Sequence, residues 1–61
     1  MKKYFRDFYG CTASMELLAD GQVKLRISDV YGNRVHNKTH KSENAARASM
    51  NRQSDGWKQV K

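Results

Sequence analysis

Two histidines, one cysteine and six carboxylates are the side chains of this 61-residue chain that most often act in catalysis or metal binding. His36 and His40 lie four residues apart on a segment that reads as a strand, roughly 13 Å at ~3.3 Å per residue, too far for one metal ion to bridge. Cys11 stands alone, so neither an internal disulfide nor a multi-cysteine zinc site can form. With no base arranged beside it in the sequence, it reads as a small core or near-core thiol. Asp7, Glu16, Asp20, Asp29, Glu43 and Asp55 fall mostly in turns and caps, and no two converge for acid–base work. No glycine-rich phosphate loop is present. The expectation is a protein that is not an enzyme and uses no metal and no cofactor.

The basic side chains carry more information. Twelve Lys and Arg against six Asp and Glu give a formal charge of +6. Residues 1–32 hold five basic and four acidic side chains, whereas residues 33–61 hold seven and two. The uneven charge points to a polyanionic partner, nucleic acid or an acidic protein.

The elements that position these charges follow from periodicity. Val23, Leu25 and Ile27 alternate with Lys24, Arg26 and Ser28, and Ala13, Met15 and Leu17 alternate with Ser14 and Glu16, so both runs are half-buried strands. A three-residue loop, Ala19-Asp20-Gly21, sets Leu17 opposite Val23, Met15 opposite Leu25 and Ala13 opposite Ile27. The same construction repeats with Val30-Tyr31-Gly32 and a third strand over residues 33–40, an edge, placing Ile27 opposite Val35. In that register Lys24, Arg26, Arg34, His36 and Lys38 share the solvent face, with Glu16 its only acid. Such a surface either solvates an exposed sheet or binds an anion, and its one-sidedness favours the anion.

Ser42 then caps a helix from about Glu43 to Gln53 whose Ala45, Ala46, Ser49 and Met50 share one face, leaving Arg47 outward as an accessory contact. Asp55-Gly56 is the expected stop, after which Trp57 and Val60 fold back to seal the core or add a short strand. Phe5, Phe8 and Trp57 are expected in the core, and Tyr31 at its hairpin tip is the aromatic expected in solvent, available for stacking. The N-terminal Tyr4 to Tyr9 segment is read as a prolongation of the first strand. No internal repeat is read along the chain. The fold class expected is therefore α+β, a single small domain over residues 1–61 with a three-stranded antiparallel sheet packed on one C-terminal helix.

Size and composition agree with this economy. A chain of this length buries only about 60% of the surface its unfolded form exposes, which leaves no room for a deep pocket beside a core. Low hydrophobicity and high charge favour disorder, but patterned apolar residues, six aromatics and the absence of proline oppose it. No apolar stretch approaches the ~20 residues that cross a bilayer, and Arg6 and Asp7 interrupt any signal peptide begun by Met1-Lys2-Lys3. A cytoplasmic protein without a membrane partner is expected.

The stretch from Lys24 to Arg52, KLRISDVYGNRVHNKTHKSENAARASMNR, resembles the β-β-β-α unit of arm-type DNA-binding domains of phage integrases and of plant AP2 domains. It covers about half the chain as a pattern of strand, glycine turn, basic strand and capped alanine-rich helix. The resemblance implies that the exposed sheet face enters the major groove of duplex DNA. It assigns that contact to Lys24, Arg26, Arg34, His36 and Lys38. On a duplex, Lys24, Arg26, Arg34 and Lys38 are expected on phosphates, with one arginine reading a guanine edge. Two departures stand out: His40 occupies a position where such domains commonly carry an aromatic under the helix, and no catalytic domain follows. The brevity of the chain is also similar to that of small accessory proteins of phages and prophages. That likeness implies the other reading, a module, monomeric or homodimeric, that binds and inhibits or redirects an acidic host protein.

Overall fold

A computed structural model describes residues 1–60. In chain order it contains strands β1 (Lys2–Arg6), β2 (Thr12–Leu17), β3 (Val23–Ser28) and β4 (Arg34–His40), helix α1 (Glu43–Gln53) and a two-residue strand β5 (Lys58–Gln59). They form one antiparallel sheet in the order β4-β3-β2-β1-β5, with α1 packed on β2, β3 and β4. The α+β architecture matches expectation, but the sheet has five strands where three are read from the sequence.

Both additional strands come from the chain ends. Lys2–Arg6 does not prolong β2; it pairs antiparallel to it, with Phe5 opposite Ala13 and Lys3 opposite Met15. The reversal between them is a three-residue turn in which the Asp7 N–H donates to the Cys11 carbonyl at 3.0 Å and the Gly10 N–H to the Asp7 carbonyl at 3.4 Å. The β3–β4 turn repeats this, with Asp29 N–H to Asn33 at 2.8 Å and Gly32 N–H to Asp29 at 3.0 Å. Gly10 (φ 96°) and Gly32 (φ 85°) take the left-handed position that closes each turn. The two turns share the sequence Asp-x-Tyr-Gly, at Asp7 and at Asp29, a short repeat that the sequence reading misses. At the other end, the Val60 N–H donates to the Tyr4 carbonyl at 2.7 Å and adds β5 beside β1.

The β2–β3 register is the one the apolar alternation predicts, with Leu17 opposite Val23, Met15 opposite Leu25 and Ala13 opposite Ile27. These residues, with Phe5, Ala46 and Met50, form the core, and Leu17 and Trp57 pack on its margin. Met15, Val23, Leu25 and Ile27 are fully buried, each contributing about 1.5–3 kcal/mol of transfer free energy for the larger side chains. Phe8, expected in the core, is 82% exposed, because it sits in the β1–β2 turn where no strand carries it inward.

The helix has the predicted bounds. Ser42 Oγ accepts the Ala45 N–H at 3.2 Å, and Ala46, Ser49 and Met50 are buried against the sheet. Its end is set by Ser54, extended in backbone, whose N–H donates to the Met50 carbonyl at 3.1 Å, while Gly56 lies two residues beyond. The indole N–H of Trp57 also donates to the Met50 carbonyl, at 2.8 Å, and the residues that follow pair with β1 at the sheet edge. Among the described residues no helix is long and apolar enough to cross a membrane.

Candidate functional site

One face of the sheet is covered by α1 and the other is open. Alternation along the strands decides which residues go where, and β4 departs from the expected alternation. Arg34 pairs with Ser28 as predicted, but Ile27 then pairs with His36 instead of Val35, Leu25 with Lys38 and Val23 with His40. A bulge between Ile27 and Ser28 leaves Val35 as the extra residue, 51% exposed. One inserted residue reverses every side chain beyond it. His36 and Lys38 therefore leave the face that carries Lys24, Arg26 and Arg34, and join His40 on the helix side. Their places on the open face are taken by Asn37 and Thr39, in register with Arg26 and Lys24.

The open face is nevertheless strongly basic, because β1 and β5 supply what β4 withholds. Three rows cross it at right angles to the strands. Lys2, Glu16, Lys24 and Thr39 form the first, and Tyr4, Ser14, Arg26 and Asn37 the second. Lys58, Arg6, Thr12, Ser28 and Arg34 form the third. In the first row Glu16 stands between two lysines and compensates them. The third row has no acid, and Arg6 is directly opposite Lys58, a like-charge pairing that costs a few tenths to about 1 kcal/mol. Arg26 lies half-buried at the centre of the face, and its Nε has no hydrogen-bond partner among the described residues. Both ion pairs of the described residues are on the helix side, where Glu43 binds Lys3 at 3.1 Å and Arg47 at 3.0 Å. These two cations hold the Glu43 carboxyl below the usual range. Arg47 is so engaged, and lies over the Phe5 ring at 5.5 Å, on the side opposite the proposed contact surface; its expected accessory role does not fit this position.

Three shallow depressions adjoin one another along the acid-free row. The first, about 280 Å³, is lined by Arg6, Asp7, Phe8, Gly56, Lys58 and Val60, so the Asp7 carboxylate, held by the turn N–H groups and the Ser54 hydroxyl, borders this end. The second, about 270 Å³, shares Arg6 and Val60 with it and is bounded by Tyr4 and Thr12. Tyr4 and Thr12 also border the third, about 250 Å³, which continues to Arg26, Ser28 and Arg34. Cations and the aromatic rings of Phe8 and Tyr4 thus interleave along one track from β5 to β4. Beside the track, the twin turns expose Phe8, Tyr9, Val30 and Tyr31, and a Cβ on Gly10 would lie 3.4 Å from Val30 Cγ1, so the turns abut. The predicted exposure of Tyr31 is present, at 87%.

The remaining titratable groups serve the fold. Asp7 is buried, which presses its pKa upward, but donation from the Ser54 hydroxyl and from the Cys11 and Tyr9 N–H groups outweighs burial and leaves the carboxyl below its ordinary value. The N–H bonds are 2.7 and 2.9 Å, both to Oδ1, and the Ser54 hydroxyl donates to Oδ2. Asp7 therefore ties the β1–β2 turn to the end of the helix. The neighbouring Cys11 thiol is pushed up by burial and by Asp7, away from the thiolate a nucleophile needs. His36 and His40 are much closer than strand spacing suggests, with their Nε2 atoms 3.1 Å apart and their ring centroids 5.3 Å apart. Side chains lean along a strand as well as standing off it, so Cα spacing misleads here. Burial lowers the pKa of His40, and His36, Lys38 and Arg52 lower it further. The pair forms an N–H···N contact in a positive environment, and among the described residues no third ligand joins it.

Of the residues named from sequence, the structure brings together Lys24, Arg26 and Arg34 and separates His36 and Lys38 from them. Sequence reasoning missed Arg6, Lys58 and Tyr4. The available signal was the alternation of Lys3 and Phe5 with Lys2, Tyr4 and Arg6, which is that of a strand with one buried face. Comparison with protein-family models, with curated proteins and with solved structures finds no match to this chain.

Proposed function

We propose that this protein binds nucleic acid through the open face of its sheet, with Arg6, Lys58, Arg26 and Arg34 contacting phosphates and Lys24 at the margin. The observation that carries this reading is the acid-free row, in which Arg6 and Lys58 repel one another across adjacent strands. An external polyanion relieves that repulsion, and releasing its counterions drives association. Arg26, half-buried at the centre of the face, adds a planar guanidinium suited to phosphate or to a base edge.

A second reading, an acidic protein as partner, is favoured by the exposed Phe8, Tyr9, Val30 and Tyr31 beside the same cations, an apolar patch rimmed by charge. Fluorescence anisotropy with labelled DNA and RNA oligonucleotides across a salt series separates the two. Four phosphate contacts predict a slope of log K against log salt of about −2.8 to −3.6, and Arg6→Ala or Arg34→Ala each reduces its magnitude by about 0.7–0.9. Absence of binding to every oligonucleotide at low salt overturns the nucleic-acid reading.

A further inference from the structure

Resting on that reading, we infer that the nucleic acid bound is single-stranded, lying across the strands along the track from Phe8 through Tyr4 to Arg34. Two independent observations point there. The first is width. The cations of the acid-free row extend from β5 to β4, across all five strands. At about 4.8 Å per interval that is roughly 19 Å, whereas the major groove is about 12 Å wide and admits a two-stranded ribbon. The three-stranded sheet read from the sequence suits a groove; the five-stranded sheet, laid flat, does not enter one.

The second observation is the interleaving of rings with charge. Tyr4 forms the wall between two depressions, one holding Arg6 and the other Arg26 and Arg34, and Phe8 closes the far end beside Arg6 and Lys58. Tyr4 is 40% and Phe8 82% exposed. Stacked bases inside a duplex offer no face to such rings, while an unpaired strand offers one at every nucleotide. Each depression, at 250 to 280 Å³, lies below the ~300 Å³ lower end of drug-sized sites and suits one base. The phosphates then follow Lys58, Arg6 and Arg34, and the bases turn onto Phe8 and Tyr4. A four-stranded sheet commonly stacks two or three bases, and this track is of that length.

The test is anisotropy with labelled oligo-dT and oligo-U of about twelve nucleotides, within the usual site sizes, and a blunt DNA duplex of the same length, at one salt concentration. The inference predicts that a single strand binds about tenfold or more tighter than the duplex, the dT and U arms showing whether DNA or RNA is preferred. Tyr4→Ala and Phe8→Ala each weaken it roughly 5- to 160-fold, the range of base–aromatic stacking by alanine substitution. Tyr4→Phe retains binding. Both rings are on the surface, so unchanged melting temperatures for the variants verify that folding is intact. Duplex binding as tight as the single strand overturns the inference but leaves nucleic-acid binding standing. Binding to none of the three overturns both. Single-strand preference with full affinity in Tyr4→Ala and Phe8→Ala overturns the track.

Discussion

The two faces of the sheet draw alternate residues from the same strands, yet they treat charge in opposite ways. On the helix side, Lys3 and Arg47 are each paired with Glu43 and the apolar residues of three strands meet Ala46 and Met50. On the open side, Lys58, Arg6 and Arg34 share a row of strand residues that contains no acid, and Arg6 stands directly opposite Lys58. A domain of this size has only on the order of 3–9 kcal/mol of stability. An arrangement that subtracts from it on one face has to be supported by the other. The difference teaches where to look for each property: stability resides under the helix, and the proposed binding surface is the face the helix leaves bare. Substitutions should therefore separate cleanly by face.

The largest effect is expected from Leu25→Ala. Leu25 is fully buried between β2 and β4 and beneath the helix. Truncation removes its transfer free energy and opens a cavity, about 2–5 kcal/mol in comparable cores. A large share of the margin, up to all of it, would go, visible as a much lower urea midpoint by circular dichroism. A loss below about 1 kcal/mol would show that the helix-covered face does not hold the fold.

Asp7 comes next, and it adds a pH signature. Asp7→Ala strands two N–H groups and the Ser54 hydroxyl, costing about 1–3 kcal/mol. Because the folded-state pKa lies below the unfolded value of ~3.9, the unfolded chain takes up the proton first on acidification. The contribution is complete above about pH 4 and is lost as pH falls through the folded-state pKa. Glu43 acts in the same direction. Acid titration of stability in Asp7→Asn against the parent isolates the Asp7 part, and the variant curve should be the flatter of the two below pH 4. Parallel curves would remove Asp7 from the account of acid stability.

How much of this was legible in the sequence differs between the two hairpins. The β2–β3 pair was readable because both strands carry three apolar residues on one face, and a slip of one would expose all of them. β4 offers no such constraint, since its inward positions are His36, Lys38 and His40, residues that tolerate either face at an edge. With nothing apolar to anchor it, the register follows backbone geometry, and a bulge at Val35 sends the charged residues to the other side. The helix was legible to the residue from its cap and small-residue face. β1 was obscured by aromatics whose spacing also fits a helical turn, and β5 is too short to carry a period at all. Deleting Val35 sharpens the point. It should regularise the hairpin with a stability change below about 1 kcal/mol, keeping the Ile27–His36 contact in nuclear Overhauser spectra. Loss of that contact would show that Val35 is not the inserted residue.

The smallest effect on stability, and the most informative about the open face, is expected from Arg26→Thr. Exposed or half-exposed substitutions away from caps and cores usually change stability by no more than about ±0.5 kcal/mol. Here the sign should be favourable. The change removes a guanidinium Nε that has no partner, lowers the charge of a crowded face, and installs a β-branched residue at the centre of a sheet. Salt tests the electrostatic part separately. Raising ionic strength from about 0.01 to 0.15 M shortens the screening length from roughly 30 to 8 Å, so it should stabilise the parent by relieving repulsion across the open face and stabilise Arg26→Thr less. The same variant should lose nucleic-acid affinity. A variant less stable than the parent at every salt concentration would mean that Arg26 supports the fold, and that the open face is not free to be specialised for binding.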